Sequence, residues 1–190
     1  MPEPPGHRQP RLALLMGDVA GVGPEVVARV LETCCQSADP LVVGHPGVLA
    51  RALDLVGLDR NVRTVDSPIS IGGDPDPSGI DCWNPTTADV GDIPAATVDS
   101  RCGRAVADWL QSAAEAALEG HVDAMVTAPL NKTALAAAGK GGTLVVDKTR
   151  SARATCAVAR APGCISYNTV GRPRGRLAVV GIGAAAYWLS

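Results

Sequence analysis

Histidine is scarce in this chain of 190 residues: His7, His45 and His121 are the only three, and none lies beyond position 121. A metal centre built from histidines of the C-terminal third is thereby excluded. Acidic residues also stop early. After Asp147 there is no Asp or Glu, while Lys148, Arg150, Arg153, Arg160, Arg172, Arg174 and Arg176 carry seven positive charges. The residues up to 147 hold ten basic side chains against nineteen acidic ones, so the formal charge of −2 hides two kinds of sequence. Also missing is any apolar run near the roughly 20 residues that span a bilayer, which excludes a membrane-spanning helix. The opening "MPEPPGHRQP" has neither the basic n-region nor the apolar core of a secretory signal, so a cytoplasmic protein is expected.

The composition that remains, 46% hydrophobic and 19% charged, is that of a globular protein with one substantial core, or one domain plus a fragment of another. Nothing global points to nucleic acid or membrane. Six cysteines are irregularly placed and include the adjacent pair Cys34 and Cys35, which fits no repeated metal-ligand spacing. They are expected as reduced thiols.

Along the chain, residues 1–10 with four prolines form a flexible lead, and "RLALLM" (11–16) reads as a buried strand. "PEVVARVLETCC" (24–35) reads as a helix with Val26, Val27, Val30 and Leu31 on one face and Pro24 in the first helical position. "PLVVGH" (40–45) and "NVRTVD" (61–66) are further strands, separated by a helix over 46–57 that ends at Gly57. Residues 67–98, rich in Gly, Pro and Asp, form an excursion with short strands around "IDCW". The strongest helix spans 99–120, with Ser100 as its cap and Gly120 as its end. "VDAMVTAP" (122–129) is a strand running into a loop, and "NKTALAAAG" a short helix stopping at Gly139. Strands alternating with helices predict an α/β fold with a largely parallel sheet and helices on both faces, and ligands outside the carboxyl ends of its strands.

Two loops stand at such ends. In "GDVAGVGPE" (17–25) the backbone amides and a helix dipole suit an anion, while Gly21 and Gly23 equally suit a tight turn. Val26 occupies the third glycine position of a dinucleotide fingerprint, and no Walker A lysine follows. Asp18 can bond nearby backbone, and Glu25 in the first helical turn gains about 0.3–1 kcal/mol from the dipole, so both have structural as well as ligand-binding explanations. In "TAPLNK" (127–132), Lys132 suits a phosphate or an alcohol and Asn131 can orient either. Alternatively Asn131 caps the next helix and Lys132 is solvated.

Taken together, the two loops are more specific than either alone. "RLALLMGDVAGVGPEVVARVL" resembles the opening of the 4-hydroxythreonine-4-phosphate dehydrogenase family, commonly MGDPAGIGPE, with Val19 for its proline and Val22 for its isoleucine. "GHVDAMVTAPLNKTALAAAG" is similar to that family's VDAIVTAPINKEAL segment, and "PLVVGHPGVLARALDLVGL" to its second strand and helix. The resemblance runs in family order over about residues 11–139. It implies a three-layer α/β/α fold like that of isocitrate and isopropylmalate dehydrogenases, present here incompletely. It also implies a cytoplasmic homodimer and NAD-dependent oxidation, with decarboxylation, of 4-phosphohydroxy-L-threonine in pyridoxal phosphate synthesis. A divalent metal (Zn, Mg or Co) polarises the alcohol while NAD takes hydride. Relatives act on phosphorylated threonate or erythronate, and this branch stays open. Asp18, Gly21, Gly23, Glu25, Asn131, Lys132 and Thr143 are the substrate-binding candidates.

The family pattern then breaks. Where PGHTE is due, the chain has "GKGGTLVVDKT": Thr143 matches the Thr, but Gly142 replaces the His and the Glu is absent. The three later metal-binding histidines cannot be supplied, so no metal site is expected in this chain. Residues 11–147 are therefore read as the N-terminal part of the dehydrogenase fold. Residues 148–190 are read as an aberrant basic tail of the kind a shifted reading frame in GC-rich DNA produces. Sequencing the locus tests this: a one-base correction must restore PGHTE and the histidines. A tail that binds nucleic acid is the rival reading, weakened by the absence of a regular charge stripe. The chain is expected to be inactive; the rival readings are a working dehydrogenase of the sugar-acid branch, its activity rescued by unusual ligands, and a non-catalytic remnant that dimerises with a full-length relative.

Overall fold

A computed structural model describes residues 9–69, 79–140, 168–172 and 175–181, the last two segments by their backbone alone. The chain runs β1 (Arg11–Leu15), α1 (Gly23–Cys35), β2 (Asp39–Val43), α2 (Pro46–Val56), β3 (Asn61–Val65), β4 (Gly79–Trp83), α3 (Ser100–Glu119), β5 (Ala124–Thr127), α4 (Lys132–Ala137), β6 (Asn168–Arg172) and β7 (Gly175–Gly181). Every β-α alternation expected between residues 11 and 139 is present. Of the segment read as a tail, β7 lies parallel to β5 and β6 antiparallel to β7; its other residues lie outside the described ones, as does Thr143.

The sheet order is β3-β4-β2-β1-β5-β7-β6. From β1 the chain steps to β2 on one side, whereas α3 carries it from β4 back across to β5 on the other. Right-handed crossovers that run in opposite directions put their helices on opposite faces. Accordingly α1 packs with α2, and α3 with α4. The strand order reverses between β1 and β5, which is where an open α/β sheet forms its ligand crevice.

Register fixes that crevice. Leu15 stands level with Val43 on one side and Thr127 on the other, Val43 with Trp83, and Trp83 with Val65, so five parallel strands end in one row. The strands are buried because apolar runs fill both faces: Leu14, Leu15, Leu41, Val42 and Val43 are all in the core.

Local details differ from the sequence expectation in three places. Helix α1 begins one residue early, at Gly23, so Pro24 is its second residue; its buried stripe is Pro24, Val27, Ala28 and Leu31, leaving Val26 and Val30 half-buried. Asp99, not Ser100, caps α3, its carboxylate accepting from Arg101 N–H at 2.7 Å. Asp99 is in extended backbone, from which its carboxylate reaches the first free amides, whereas Ser100 is already helical. Third, Ala138 is the C-cap of α4, with Gly139 following it in the left-handed region at φ 69°. Helix α3 is the most buried, and Gly103 in its first turn lets α4 approach, since a Cβ there would lie 2.0 Å from the Ala134 carbonyl oxygen.

The four cysteines among the described residues, Cys34, Cys35, Cys82 and Cys102, are free thiols, as expected. No helix among the described residues is long and apolar enough to cross a membrane.

Candidate active site

The two loops singled out in the sequence meet at the reversal point. Met16 N–H donates to the Val43 carbonyl and Ala128 N–H to the Leu15 carbonyl, each at 3.0 Å, extending the ladder one residue past the strands. Asp18 N–H then crosses to the Pro129 carbonyl at 3.1 Å, joining the glycine loop to the TAPLNK loop through backbone. Gly17 makes this approach possible. It lies at φ 72°, and a Cβ there would sit 2.5 Å from the Pro129 oxygen. Gly23 is equally constrained: its Cβ would fall 2.2 Å from the Met16 oxygen. Gly21 is different. It is exposed, its φ is ordinary, and a Cβ would meet Asp18 Oδ2 only at 3.4 Å.

Asp18 is 7% exposed, and its carboxylate turns inward. Oδ1 accepts from Ala20 N–H at 3.2 Å while the Asp18 carbonyl accepts from Gly21 N–H at 3.1 Å. The Cys102 thiol at the head of α3 bonds the same carboxylate, and burial pushes that thiol up to about 11, helped by the Asp18 and then the Asp99 charges. The amides of residues 18, 20 and 21 are thus engaged within the protein. The loop is a braced turn more than an open phosphate cradle, and it lacks the third glycine of a dinucleotide fingerprint.

Glu25, in the first turn of α1, is half-buried, and its Oε2 is buried with no hydrogen-bond partner among the described residues. Its other explanation, the helix dipole, does not require that burial. Asn131 caps α4: Oδ1 accepts from Thr133 N–H at 3.0 Å and Ala134 N–H at 3.1 Å. Lys132 is exposed at the head of α4. The structure therefore brings Asp18, Gly21, Gly23, Glu25, Asn131 and Lys132 to one end of the sheet, and assigns Asp18 and Asn131 structural hydrogen bonds.

Three neighbours were not legible as site residues. Cys102 stands in the first turn of a helix whose start gave no hint of contact with Asp18. His45 accepts from Val48 N–H through Nδ1 at 3.3 Å and so caps α2; burial lowers its pKa, against the raising effect of Asp89, with Arg51 lowering it further. The excursion 84–98 returns over the glycine loop, where Ala96 N–H donates to the Ala20 carbonyl at 2.7 Å. Its Gly and Pro content marked a loop, not its destination.

A histidine-based metal does not fit. His45 lies at the carboxyl end of β2 and His121 before β5, at the opposite end of the sheet, and no three His, Cys, Asp or Glu converge among the described residues.

Residues 36–159 match the family described as "Pyridoxal phosphate biosynthetic protein PdxA". The chain is 32% identical over 154 residues to 4-hydroxythreonine-4-phosphate dehydrogenase of Desulforapulum autotrophicum, covering 76% of this chain and 44% of that protein. It is 37% identical over 136 residues to D-threonate 4-phosphate dehydrogenase of Bordetella bronchiseptica, covering 70% and 38%. The crystal structure of a 4-hydroxythreonine-4-phosphate dehydrogenase from Burkholderia phymatum superposes with a TM-score of 0.64 at 33% identity, over 71% of this chain and 41% of that one. The chain thus spans about two-fifths of the length of the relatives it matches. With nearly two thirds of its residues inside the family match and its sheet shared with a solved member, the chain belongs to the PdxA family of pyridoxal phosphate biosynthetic proteins.

Proposed function

We propose that this chain is the N-terminal part of a cytoplasmic, homodimeric, NAD-dependent dehydrogenase of 4-phosphohydroxy-L-threonine, and that as this polypeptide it binds substrate without turning it over. The observation that carries the reading is the Asp18–Pro129 backbone bond, which joins the two family loops at the strand-order reversal. Lys132 there offers a point charge to a phosphate or carboxylate, α1 presents the positive end of its dipole, and the Glu25 carboxylate is placed to accept from a substrate amine or hydroxyl. Turnover needs a metal and a nicotinamide; no three His, Cys, Asp or Glu converge among the described residues, and no step is assigned to either group. Thr143, expected to contact the substrate, lies outside the described residues.

The test is to incubate the full chain with NAD, each of Mg, Zn and Co, and 4-phosphohydroxy-L-threonine, and to follow NADH. The expected rate equals the protein-free control. Turnover that Lys132→Ala abolishes would overturn the claim of inactivity. A second substrate, D-threonate 4-phosphate, is included because a relative named for it is 37% identical.

A further inference from the structure

Cys34 and Cys35 are adjacent thiols that the candidate site does not use. They stand in the last turn of α1, half-buried against the core, and both are free. The turn that carries them is firmly bonded: the Cys34 carbonyl accepts from Ser37 N–H at 3.1 Å and from Ala38 N–H at 2.9 Å, and Gln36 N–H donates to the Thr33 carbonyl at 3.3 Å. It leads directly into β2 at Asp39, so the pair lies at the amino end of the sheet, opposite the crevice.

Three chemistries are open to such a pair, and the surroundings separate them. A disulfide needs Cα atoms about 4.4–6.8 Å apart, whereas neighbours across a trans peptide are about 3.8 Å apart, so a direct sulfur–sulfur bond would distort the turn into β2. A metal ion takes thiolates, and burial raises both thiols, with the Cys35 charge raising Cys34 further. A structural zinc also requires four ligands, and no three His, Cys, Asp or Glu converge among the described residues. What remains is a thiophilic centre that uses two sulfurs only, accepts them as thiols, and adds an atom to the link between them.

We propose that Cys34 and Cys35 form a dithiol site for monosubstituted trivalent arsenicals, in which one arsenic atom bridges the two sulfurs at the end of α1. The arsenical arrives as the dihydroxide. Two As–O bonds and two S–H bonds break, two As–S bonds form, and each hydroxyl leaves as water with one thiol proton. Nothing is oxidised or reduced. The organic group fills the third valence of arsenic, so the pair suffices without a further ligand from the chain. The half-exposure of both side chains gives the reagent access, which the buried Cys82 and Cys102 do not offer.

The probe is phenylarsine oxide, mixed in equimolar amount with the reduced, native full chain, which is then washed with 2-mercaptoethanol, alkylated with iodoacetamide and mapped as tryptic peptides. Cleavage after Arg29 and Arg51 gives a peptide that holds Cys34 and Cys35 and no other cysteine. That peptide is expected to carry the phenylarsenic group with both thiols unalkylated, and to lose it to 2,3-dimercaptopropanol. Cys34→Ser and Cys35→Ser are each expected to lower retention about a hundredfold or more, because the second As–S bond is no longer intramolecular, and a change under about threefold in either would overturn the proposal. Arsenic found on the peptides of Cys156 or Cys164 instead, or removed from wild type by the monothiol wash, would overturn it as well. The wild-type map decides the matter even if a serine variant does not fold.

Discussion

The two ends of the parallel sheet handle buried polarity in opposite ways. At the carboxyl end the chain folds back on itself through backbone: Asp18 is buried, yet its carboxylate meets Ala20 N–H and the Cys102 thiol, and close approaches are bought with glycine at 17 and 23. At the amino end Arg11 is 1% exposed and makes one side-chain bond, Nη1 to Asp39 Oδ2 at 2.9 Å, while Nε and Nη2 have no hydrogen-bond partner among the described residues. The first end is specified by shape, the second by a charge whose desolvation opposes folding. Shape tolerates no added atom; charge that is poorly repaid tolerates replacement.

Gly17→Ala is the largest expected effect. The methyl group would collide with the Pro129 carbonyl and force an alanine into the left-handed region, and the two penalties together come to about 3 kcal/mol. Urea unfolding measures it, with Gly21→Ala as the control expected within about 0.5 kcal/mol of wild type. Equal losses at 17 and 21 would mean that the loops do not meet as described. Next is Arg11. Arg11→Ala is expected to cost about 2–3 kcal/mol through the cavity it leaves, whereas Arg11→Met, which fills the space without a charge, is expected to match or exceed wild-type stability. An Arg11→Met protein as weak as Arg11→Ala would show that the guanidinium is fully paired, and the contrast between the two ends would fail.

Much of this was legible because it depends on short-range rules. The β-α alternation, the αL glycine at 57 and the proline-led α1 all follow from period and punctuation, which are local properties. The cap of α3 was misplaced by one residue because Asp99 and Ser100 are both good caps, and backbone direction decides between them. The candidate site was read as two separate loops with a structural excuse for each residue. Their meeting depends on β5 pairing with β1 across 112 residues of chain, as in the Asp123–Arg11 contact, and no local signal encodes that. Burial misled in the opposite direction at Arg11. A strand beginning with arginine gives no warning that its side chain is inside. Cys102 and Ala96 escaped notice because their importance comes only from what they touch.

Asn131→Ala sharpens the division of labour inside the site. The side chain accepts two helical amides, so its loss is expected to cost about 1 kcal/mol, and Asn131→Asp, which retains the acceptor, to cost much less. Thermal unfolding checks the ordering. If Asp were as damaging as Ala, the amide nitrogen would matter, and Asn131 would have a role other than capping.

The smallest effect leaves stability untouched and reads the two ends through their thiols. Burial, with the Asp81 charge beside it, pushes Cys82 up to about 12, and Cys102 against Asp18 stands at about 11. At about pH 8 their thiolate fractions are on the order of one in ten thousand and one in a thousand, and both side chains are covered. Cys34 and Cys35, at the amino end, are raised by burial as well but are half-exposed, and that exposure decides the contrast. Brief iodoacetamide treatment of the native chain, followed by peptide mass mapping, is therefore expected to modify Cys34 and Cys35 while Cys82 and Cys102 stay free. Labelling of Cys102 at the rate of Cys34 would mean that the glycine loop opens readily and exposes the head of α3. The carboxyl end would then be held no more firmly by its shape than the amino end is by its charge.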